Sequence, residues 1–293
     1  MQLSIVTTLY RSAKHLIEFL ERMRRASDAL QVEYEIILVN DASPDDSLEV
    51  ALRFVSPDSR VRVIDLARRY GHYEAMLAGL RYTRGEYVFL IDSDLEEPPE
   101  LLQELWAALE KDPECDLTVA CQVTRRGRSI AELGGALYYR MLRAQTGLDI
   151  PRDNLVARLM TRRYVDALLA MSESAVSFDA LSARAGFRHQ AVGAVKESRG
   201  TTTYSLMLRI TIFVDSMLSY GSGLASVVVG VSVLLGISGL WSLLFYERAF
   251  GFVILTAILF GLLGIALLCR YQYLILEEIR YRPAQVRRVY PDA

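Results

Sequence analysis

Phe89-Leu90-Ile91-Asp92-Ser93-Asp94-Leu95-Glu96-Glu97-Pro98-Pro99-Glu100 is the stretch on which the reading of the chain turns. An apolar run from Tyr87 to Ile91 ends in Asp-Ser-Asp, two more acids follow, and Pro98-Pro99 opens a helical pattern. This reads as a buried strand that delivers carboxylates to its C-terminal end, where a helix begins. In open α/β sheets that edge is where ligands bind. Asp92, Asp94 and Glu96 are hard oxygen donors, the kind that holds Mg²⁺ or Mn²⁺ together with a phosphate. Taken alone, the triplet equally describes an acidic turn in front of the Pro98 helix, since acids suit a helix N-terminus. Its surroundings have to decide.

Upstream, the expected strands are Leu3–Leu9, Glu35–Val39 and Val61–Leu66, with Tyr87–Ile91 fourth and Leu117–Cys121 fifth. Between them lie helical patterns. One follows Ser12, an expected cap, with Leu16, Phe19, Leu20 and Met23 at helical spacing; others run from Ser47 to Phe54, about Tyr73 to Tyr82, and Leu101 to Lys111. Regular alternation of strand and helix predicts a doubly wound, mostly parallel α/β sheet. No G-x-G-x-x-G follows the first strand, so a dinucleotide-binding reading lacks its fingerprint.

The chain has 293 residues, a prior of about two domains. Lys and Arg number 33 against 35 Asp and Glu, so no overall field draws it to nucleic acid. Cys115, Cys121 and Cys269 form neither a disulfide framework nor a metal spacing, which fits a reducing compartment. The N-terminus carries no signal-peptide pattern. Mean hydropathy is +0.21, and the excess sits toward the C-terminus. Ser205 to Tyr220 is amphipathic, with Leu206, Ile210, Phe213, Val214 and Met217 on one face. Residues 224–246 and 250–269 contain no charge, and each is long enough to span hydrocarbon at about 20 residues. With Glu247-Arg248-Ala249 between them they predict a transmembrane hairpin.

Arg270, Arg280, Arg282, Arg287 and Arg288 follow the second span, and only Arg248 lies in the link, so the positive-inside tendency puts both termini in the cytoplasm. The expected organisation is a catalytic domain over residues 1–204, an interfacial helix over 205–222, the spans within 223–269 and a tail over 270–293. Gly230, Gly236, Gly239, Gly261 and Gly264 would let helices approach closely, and homo-oligomer contacts through the spans or tail are an expectation. From Arg125 to Tyr204 the pattern is mixed and rich in Arg, read as helices with solvated basic faces, some of whose guanidinium forks match an anionic acceptor.

At this point the chain resembles a known family, nearly end to end: the membrane-anchored family-2 glycosyltransferases that load a sugar onto a polyprenyl phosphate, among them dolichyl-phosphate mannose synthase and the bacterial undecaprenyl-phosphate hexose transferases. The resemblance rests on Ser4-Ile5-Val6-Thr7-Thr8-Leu9-Tyr10, Val39-Asn40-Asp41-Ala42-Ser43-Pro44-Asp45, Leu66-Ala67-Arg68-Arg69-Tyr70-Gly71-His72, Ala78-Gly79-Leu80, Asp92 to Glu100, Gly200-Thr201-Thr202-Thr203-Tyr204 and Tyr273 to Pro283. Together these are specific; singly none is. The resemblance implies a GT-A fold, a nucleotide-sugar donor, a polyprenyl phosphate acceptor, Mg²⁺ or Mn²⁺, and a place in the cytoplasmic membrane with the catalytic domain facing the cytoplasm.

By the same resemblance Asp92 and Asp94 are the catalytic pair and hold the metal with Glu96. Thr8, Tyr10, Asn40, Asp41, Arg68, Gly71, His72 and Ser93 line the donor site. Gln122, Arg125, Arg128 and Arg158 are the candidates for the acceptor phosphate. The chain departs from the family's usual residues in four places: Asn40 stands where an acid is usual, Glu96 where related mannose synthases carry Gln, and Gln122 and Ala131 where basic residues are usual. His15 and His189 read as structural, and Glu173 and Asp179 as surface or positioning groups rather than a base pair. Two other functions compete. A processive polysaccharide synthase would carry Gln-x-x-Arg-Trp, but neither Trp106 nor Trp241 follows Arg. A non-catalytic membrane adaptor would not need both Asp92 and Asp94.

Overall fold

The computed structural model describes residues 1–55, 60–123, 153–171, 178–195, 247–279 and 283–291, with isolated positions between 140 and 143 and between 214 and 238. Among these the order is β1 (Leu3–Leu9), α1 (Ala13–Asp28), β2 (Tyr34–Asn40), α2 (Ser47–Leu52), β3 (Val61–Leu66), α3 (His72–Arg81), β4 (Tyr87–Leu90), α4 (Leu101–Lys111), β5 (Leu117–Gln122), β6 (Asn154–Thr161), α5 (Arg162–Ala170), α6 (Phe178–Ala185), β7 (His189–Ala194), α7 (Glu247–Ile279) and β8 (Val286–Tyr290). The eight strands form one sheet in the order β7-β5-β6-β4-β1-β2-β3-β8. β6 and β8 run against the rest, and the others are parallel, as expected for a mostly parallel sheet.

The unbroken apolar runs of the central strands follow from burial on both faces. Leu3, Ile5, Leu9, Ile36, Leu38, Val61, Val63 and Phe89 pack with α1 and α4, through Leu16, Phe19, Leu20, Leu102 and Leu105. Val6, Ile37, Val39, Ile64, Leu66, Val88 and Leu90 pack with α3 and α5, through Met76, Leu77, Leu80, Val165 and Leu168. Helix α3 lies close to the sheet because Gly79 has no side chain: a Cβ there would meet Val6 Cγ1 at 2.5 Å and Val39 Cγ2 at 2.8 Å.

Three features depart from the sequence reading. Ser12 occupies the cap position of α1 without a side-chain cap bond. Its hydroxyl instead accepts from the Tyr10 N–H and lies 3.0 Å from the Ser93 hydroxyl, while Asp45 accepts the N–H of Ala13. Of the arginines read as lying on solvated helix faces, Arg162 and Arg163 do begin helix α5, with Arg163 exposed, but Arg158 does not. Arg158 lies on β6, buried, and Arg162 donates to the Gly85 carbonyl. The stretch Glu247-Arg248-Ala249 is helical and begins α7, which continues past Arg270 to Ile279. Residues 200–204 and most of 205–246 lie outside the described residues.

Two carboxylates shape the loops at one edge. β4 stops pairing with β6 at Leu90, opposite Arg158. Beyond that point Glu97, itself buried, accepts the N–H groups of Val156 at 2.9 Å and Ala157 at 2.6 Å. Asp45 organises the turn after β2, accepting from the Ser43 and Ser47 hydroxyls at 2.5 Å each. Burial pushes the Asp45 carboxyl up, but the bonds from Ser43, Ser47 and Ala13 outweigh it and hold the group below its ordinary value.

Each carboxylate generates an expectation. Glu97→Ala leaves the half-buried Val156 N–H and the buried Ala157 N–H without this partner and is expected to cost about 3–6 kcal/mol, since bonds to charged groups contribute roughly 1.5–3 kcal/mol each. Urea unfolding of the two proteins measures it, and a loss below ~1 kcal/mol would show that the clamp is redundant. For Asp45 the folded pKa is depressed. Its stabilisation is therefore full above the ordinary carboxylate value of about 3.9 and fades as pH falls through the lower folded value. Asp45→Asn is expected to flatten that acid limb of the melting-temperature profile. Parallel profiles for the two proteins would contradict the assignment.

Candidate active site

The loops after β1, β2, β3 and β4 gather at the C-terminal edge of the sheet. Three of the four non-glycine residues with positive φ described in the chain fall in them: Arg11 (58°), Ala42 (46°) and Leu95 (61°). Backbone held in that region costs free energy and concentrates where a site must be shaped.

After β4 the burial alternates residue by residue. Ser93, Leu95 and Glu97 are buried; Asp92 and Glu96 are half-buried and Asp94 is exposed. The inward set fastens the loop. The Ser93 hydroxyl donates to the Thr8 carbonyl at 2.9 Å and lies 3.0 Å from the Ser12 hydroxyl, Leu95 enters the core, and Glu97 clamps β6. The outward set is the three carboxylates that the sequence singled out. Asp94 Oδ1 accepts the Glu96 N–H at 2.9 Å, which tightens the turn.

Opposite stands the start of α3. His72 Nδ1 is 2.9 Å from the Thr8 hydroxyl, and Nε2 is 3.2 Å from Asp92 Oδ1. The tautomer with the proton on Nε2 suits both: Nδ1 accepts from Thr8 while Nε2–H faces the carboxylate. Desolvation by the walls of the site lowers the His72 pKa; Asp94, Asp41 and Glu97 oppose it and Arg158 adds to it, so the ring is held below its ordinary value. A neutral ring between Thr8 and Asp92 orients the carboxylate without neutralising it.

Asp41 is buried and accepts two N–H groups from the turn before α3, Tyr70 at 2.6 Å and Gly71 at 2.9 Å. Gly71 has φ 100°, and nothing crowds a Cβ there, so the glycine is required by conformation rather than by space. Asn40 donates from Nδ2 to Asp65 at 2.8 Å and accepts the Ser43 N–H. Tyr10 carries the Arg69 guanidinium over its ring at 4.1 Å, and Arg68 lies over Tyr70 at the same distance.

Thr8, His72, Asp92 and Ser93 thus meet directly, and Asn40, Asp41 and Gly71 form the adjoining wall. Arg158 is differently disposed. It is 3% exposed, stacks on Phe178, and donates to the Val156 and Leu155 carbonyls and to Asp179. Gln122 is half-buried at the end of β5, its N–H on the Asp153 carbonyl. Arg125, Arg128, Ala131 and Glu173 lie outside the described residues. Among the described residues no three His, Cys, Asp or Glu side chains converge as a metal cage. The roles of Asp65 and Glu97 carry no local sequence signal, since each acts on a residue far along the chain.

Several known proteins are similar to this chain. Uncharacterized glycosyltransferase YkcC of Bacillus subtilis (strain 168) is 32% identical over 224 residues, 75% of this chain and 68% of that protein. A protein of Mycobacterium tuberculosis (strain CDC 1551 / Oshkosh), provisionally named a glycosyltransferase, is 37% identical over 76% of this chain; the match spans 65% of its own length. An undecaprenyl-phosphate 4-deoxy-4-formamido-L-arabinose transferase of Pseudomonas fluorescens (strain SBW25) is 30% identical over 96% of this chain and 87% of its own. The crystal structure of glucosyl-3-phosphoglycerate synthase from Mycobacterium tuberculosis in complex with Mn²⁺ and uridine-diphosphate-glucose matches with TM-score 0.51 at 19% identity, covering 75% of this chain and 78% of that one, a likeness of fold. The fold is GT-A, and since the model of glycosyl transferase family 2 matches residues 4–169, this chain belongs to that family.

Proposed function

We propose that the protein transfers a sugar from a nucleotide-sugar donor to a polyprenyl phosphate, undecaprenyl phosphate in a bacterial setting, at the cytoplasmic face of a membrane and with inversion of the anomeric centre. One observation carries the reading: a long apolar helix leads into a strand that joins the sheet beside the carboxylate-bearing edge. Within α7, Ile254–Leu276 has a mean hydropathy of 2.1, and Leu255, Ile258, Leu259, Leu262 and Ile265 are exposed, as a helix in lipid and not in a core would have them. Ile279 ends the helix and Pro283 lies four residues on, a reach of at most about 14 Å. Gln285 then bonds Ala67, and Val286 pairs with Leu66 at the end of β3. A lipid phosphate at the membrane surface would therefore meet the edge that holds Asp92 and Asp94. The relatives named for undecaprenyl-phosphate sugar transfer support the same acceptor.

In this reading 224–246 is a second span, with Val233, Leu234 and Ile237 exposed, and Arg270 at the membrane surface pairs with Asp215 at 2.7 Å through both oxygens.

The donor set fits a divalent cation of the Mg²⁺ or Mn²⁺ type. Asp92 and Asp94 lie on the open side of the loop after β4, where hard oxygen donors can share a metal with substrate phosphates. Such a cation would neutralise charge on the departing nucleoside diphosphate. The chain's own residues do the rest: His72 and Thr8 orient Asp92, Asp41 and Gly71 set the donor turn, and Arg125 and Arg128 are assigned to the acceptor phosphate. A phosphate monoester is largely ionised near pH 7, with a second pKa of about 6, so it attacks without a protein base. Asp179 suits this assignment. It is held by Arg158 at 3.2 Å and by Asn154 at 3.4 Å, as a positioning group is.

A panel of nucleotide sugars offered with undecaprenyl phosphate, read by the mass of the lipid product, tests the activity; no lipid-linked product from any donor would refute it. Asp94 is exposed, so Asp94→Asn is expected to fold normally and to lose about 10²-fold or more in turnover. Undiminished turnover of that variant, or of the wild type in excess EDTA, would sink the metal assignment. Asp179→Asn is expected to lose less than about tenfold in kcat, whereas a general base contributes roughly 10²–10⁴. A variant as inactive as Asp94→Asn, with folding and donor binding intact, would mean that the acceptor is a hydroxyl.

A further inference from the structure

The C-terminal strand does more than join the sheet edge. Arg287, on β8, sets its fork on Asp65 at the end of β3: Nε is 2.8 Å and Nη2 2.6 Å from Oδ2, across 222 residues of sequence. The Asp65 side chain is 3% exposed, and its other oxygen, Oδ1, takes the Asn40 amide N–H at 2.8 Å. Asn40 in turn accepts the Ser43 N–H at 3.2 Å through its own Oδ1. Ser43 accepts the Arg11 N–H at 2.7 Å and donates to Asp45. Next to Asn40, Asp41 holds the Tyr70 and Gly71 N–H groups. One unbroken set of contacts thus runs from the strand after the apolar helix to the loop that carries Asn40 and Asp41.

Asn40 stands where the sequence reading places an acid in related enzymes, and here the charge sits one strand over, on Asp65. Both Asn40 side-chain groups are used inside the protein, so its amide is a strut. A carboxylate this buried needs a cation or several donors, and the Arg287 fork supplies the cation. Without it, Asp65 has the Asn40 amide but no countercharge, and the least costly relief is to move toward water, dragging Asn40 and the 41–43 turn with it.

We propose that Arg287 and Asp65 are positioning residues for the nucleotide-donor pocket, through which docking of the C-terminal strand sets donor affinity. This rests on the reading of the Asn40–Asp41 loop as donor-binding. Engagement of the anchor helix at the membrane and readiness of the donor site are then one equilibrium, because only six residues join α7 to β8. An enzyme whose tail is undocked binds donor weakly, which limits futile hydrolysis away from its lipid.

The test uses the full chain in lipid nanodiscs and titrates UDP, GDP and CDP in the presence of Mn²⁺, keeping the tightest of the three as probe. Arg287→Ala is expected to raise its Kd about threefold or more, in the range of measured couplings through packed networks. Arg287 is largely exposed, so the variant should fold; Arg287→Gln, which keeps the volume and loses the charge, is expected to behave alike and serves if it does not. The decisive variant is Asp65→Asn combined with Arg287→Ala. A neutral amide needs no cation and still accepts from Asn40, so the double variant should bind the probe more tightly than Arg287→Ala alone, even where its melting temperature is no higher. A purely structural role would lower the melting temperature and leave Kd unmoved. Unchanged Kd in Arg287→Ala, or a double variant no tighter than the single one, overturns the proposal while the glycosyltransferase reading stands. A wild type that binds none of the three overturns both.

Discussion

Leu95 has to be buried, and the loop after β4 is built around that requirement. With Leu95 in the core and Ser93 and Glu97 bonded inward on either side, the residues between them have nowhere to go but out. The strained left-handed backbone at Leu95 is the cost of turning the chain so tightly that each second side chain faces solvent. The outward positions are Asp92, Asp94 and Glu96. Their presentation at the sheet edge thus follows from hydrophobic burial of a neighbour and from two inward hydrogen-bonding groups.

An edge so loaded with carboxylates would repel itself if each were free. The structure spreads the load by giving the acids different partners. Asp41 spends its charge on two backbone N–H groups, Asp45 on two hydroxyls, Glu97 on two N–H groups of β6 and Asp65 on Arg287. Asp92 has the His72 imidazole beside it, and Asp94 accepts the Glu96 N–H of its own turn. Asp92 and Asp94 lie on the open side of the edge and not in the interior, as the proposed cation site requires. That difference separates a cluster of structural acids from a site, and residue type alone does not reveal it.

Much of the sheet could be read from the sequence because central strands buried on both faces are continuous apolar runs, and the runs Leu3–Leu9 and Val61–Leu66 coincide with β1 and β3. The strands that escaped are those in which apolar periodicity fails. β6 carries Arg158 in its interior, tolerated because Asp179 and two carbonyls surround it. β7 is mostly exposed, and β8 reads Val286-Arg287-Arg288-Val289-Tyr290, which looks like a basic tail until its partner is known. Ser12 shows a related limit. A serine before a helix predicts a cap, but the Ser12 hydroxyl is engaged by Tyr10 and Ser93 and ties two loops together, while Asp45, 33 positions further on, takes the Ala13 N–H. In each case the deciding partner is distant in sequence, so no window of local pattern contains it.

The same distance explains why the two ends of the chain have to be considered together. A lipid phosphate confined to a membrane surface and a nucleotide in a cytoplasmic pocket meet rarely unless the pocket is held at the surface in the right orientation. Holding reactants in place converts the encounter into a nearly unimolecular step, and the gain depends on how stiff the holding element is. A flexible linker after α7 would keep the domain near the membrane but leave its edge free to turn away. A strand hydrogen-bonded along β3, with only six residues between it and the helix, keeps that edge close to the helix end. Pairing antiparallel to β3 also settles which end comes first: the tail enters at Leu66, on the carboxylate side, and leaves at Val63. Had β8 run parallel, the same ladder would have placed the helix at the opposite edge, away from Asp92 and Asp94. The direction of one short edge strand therefore sets which edge of the sheet the apolar helix adjoins.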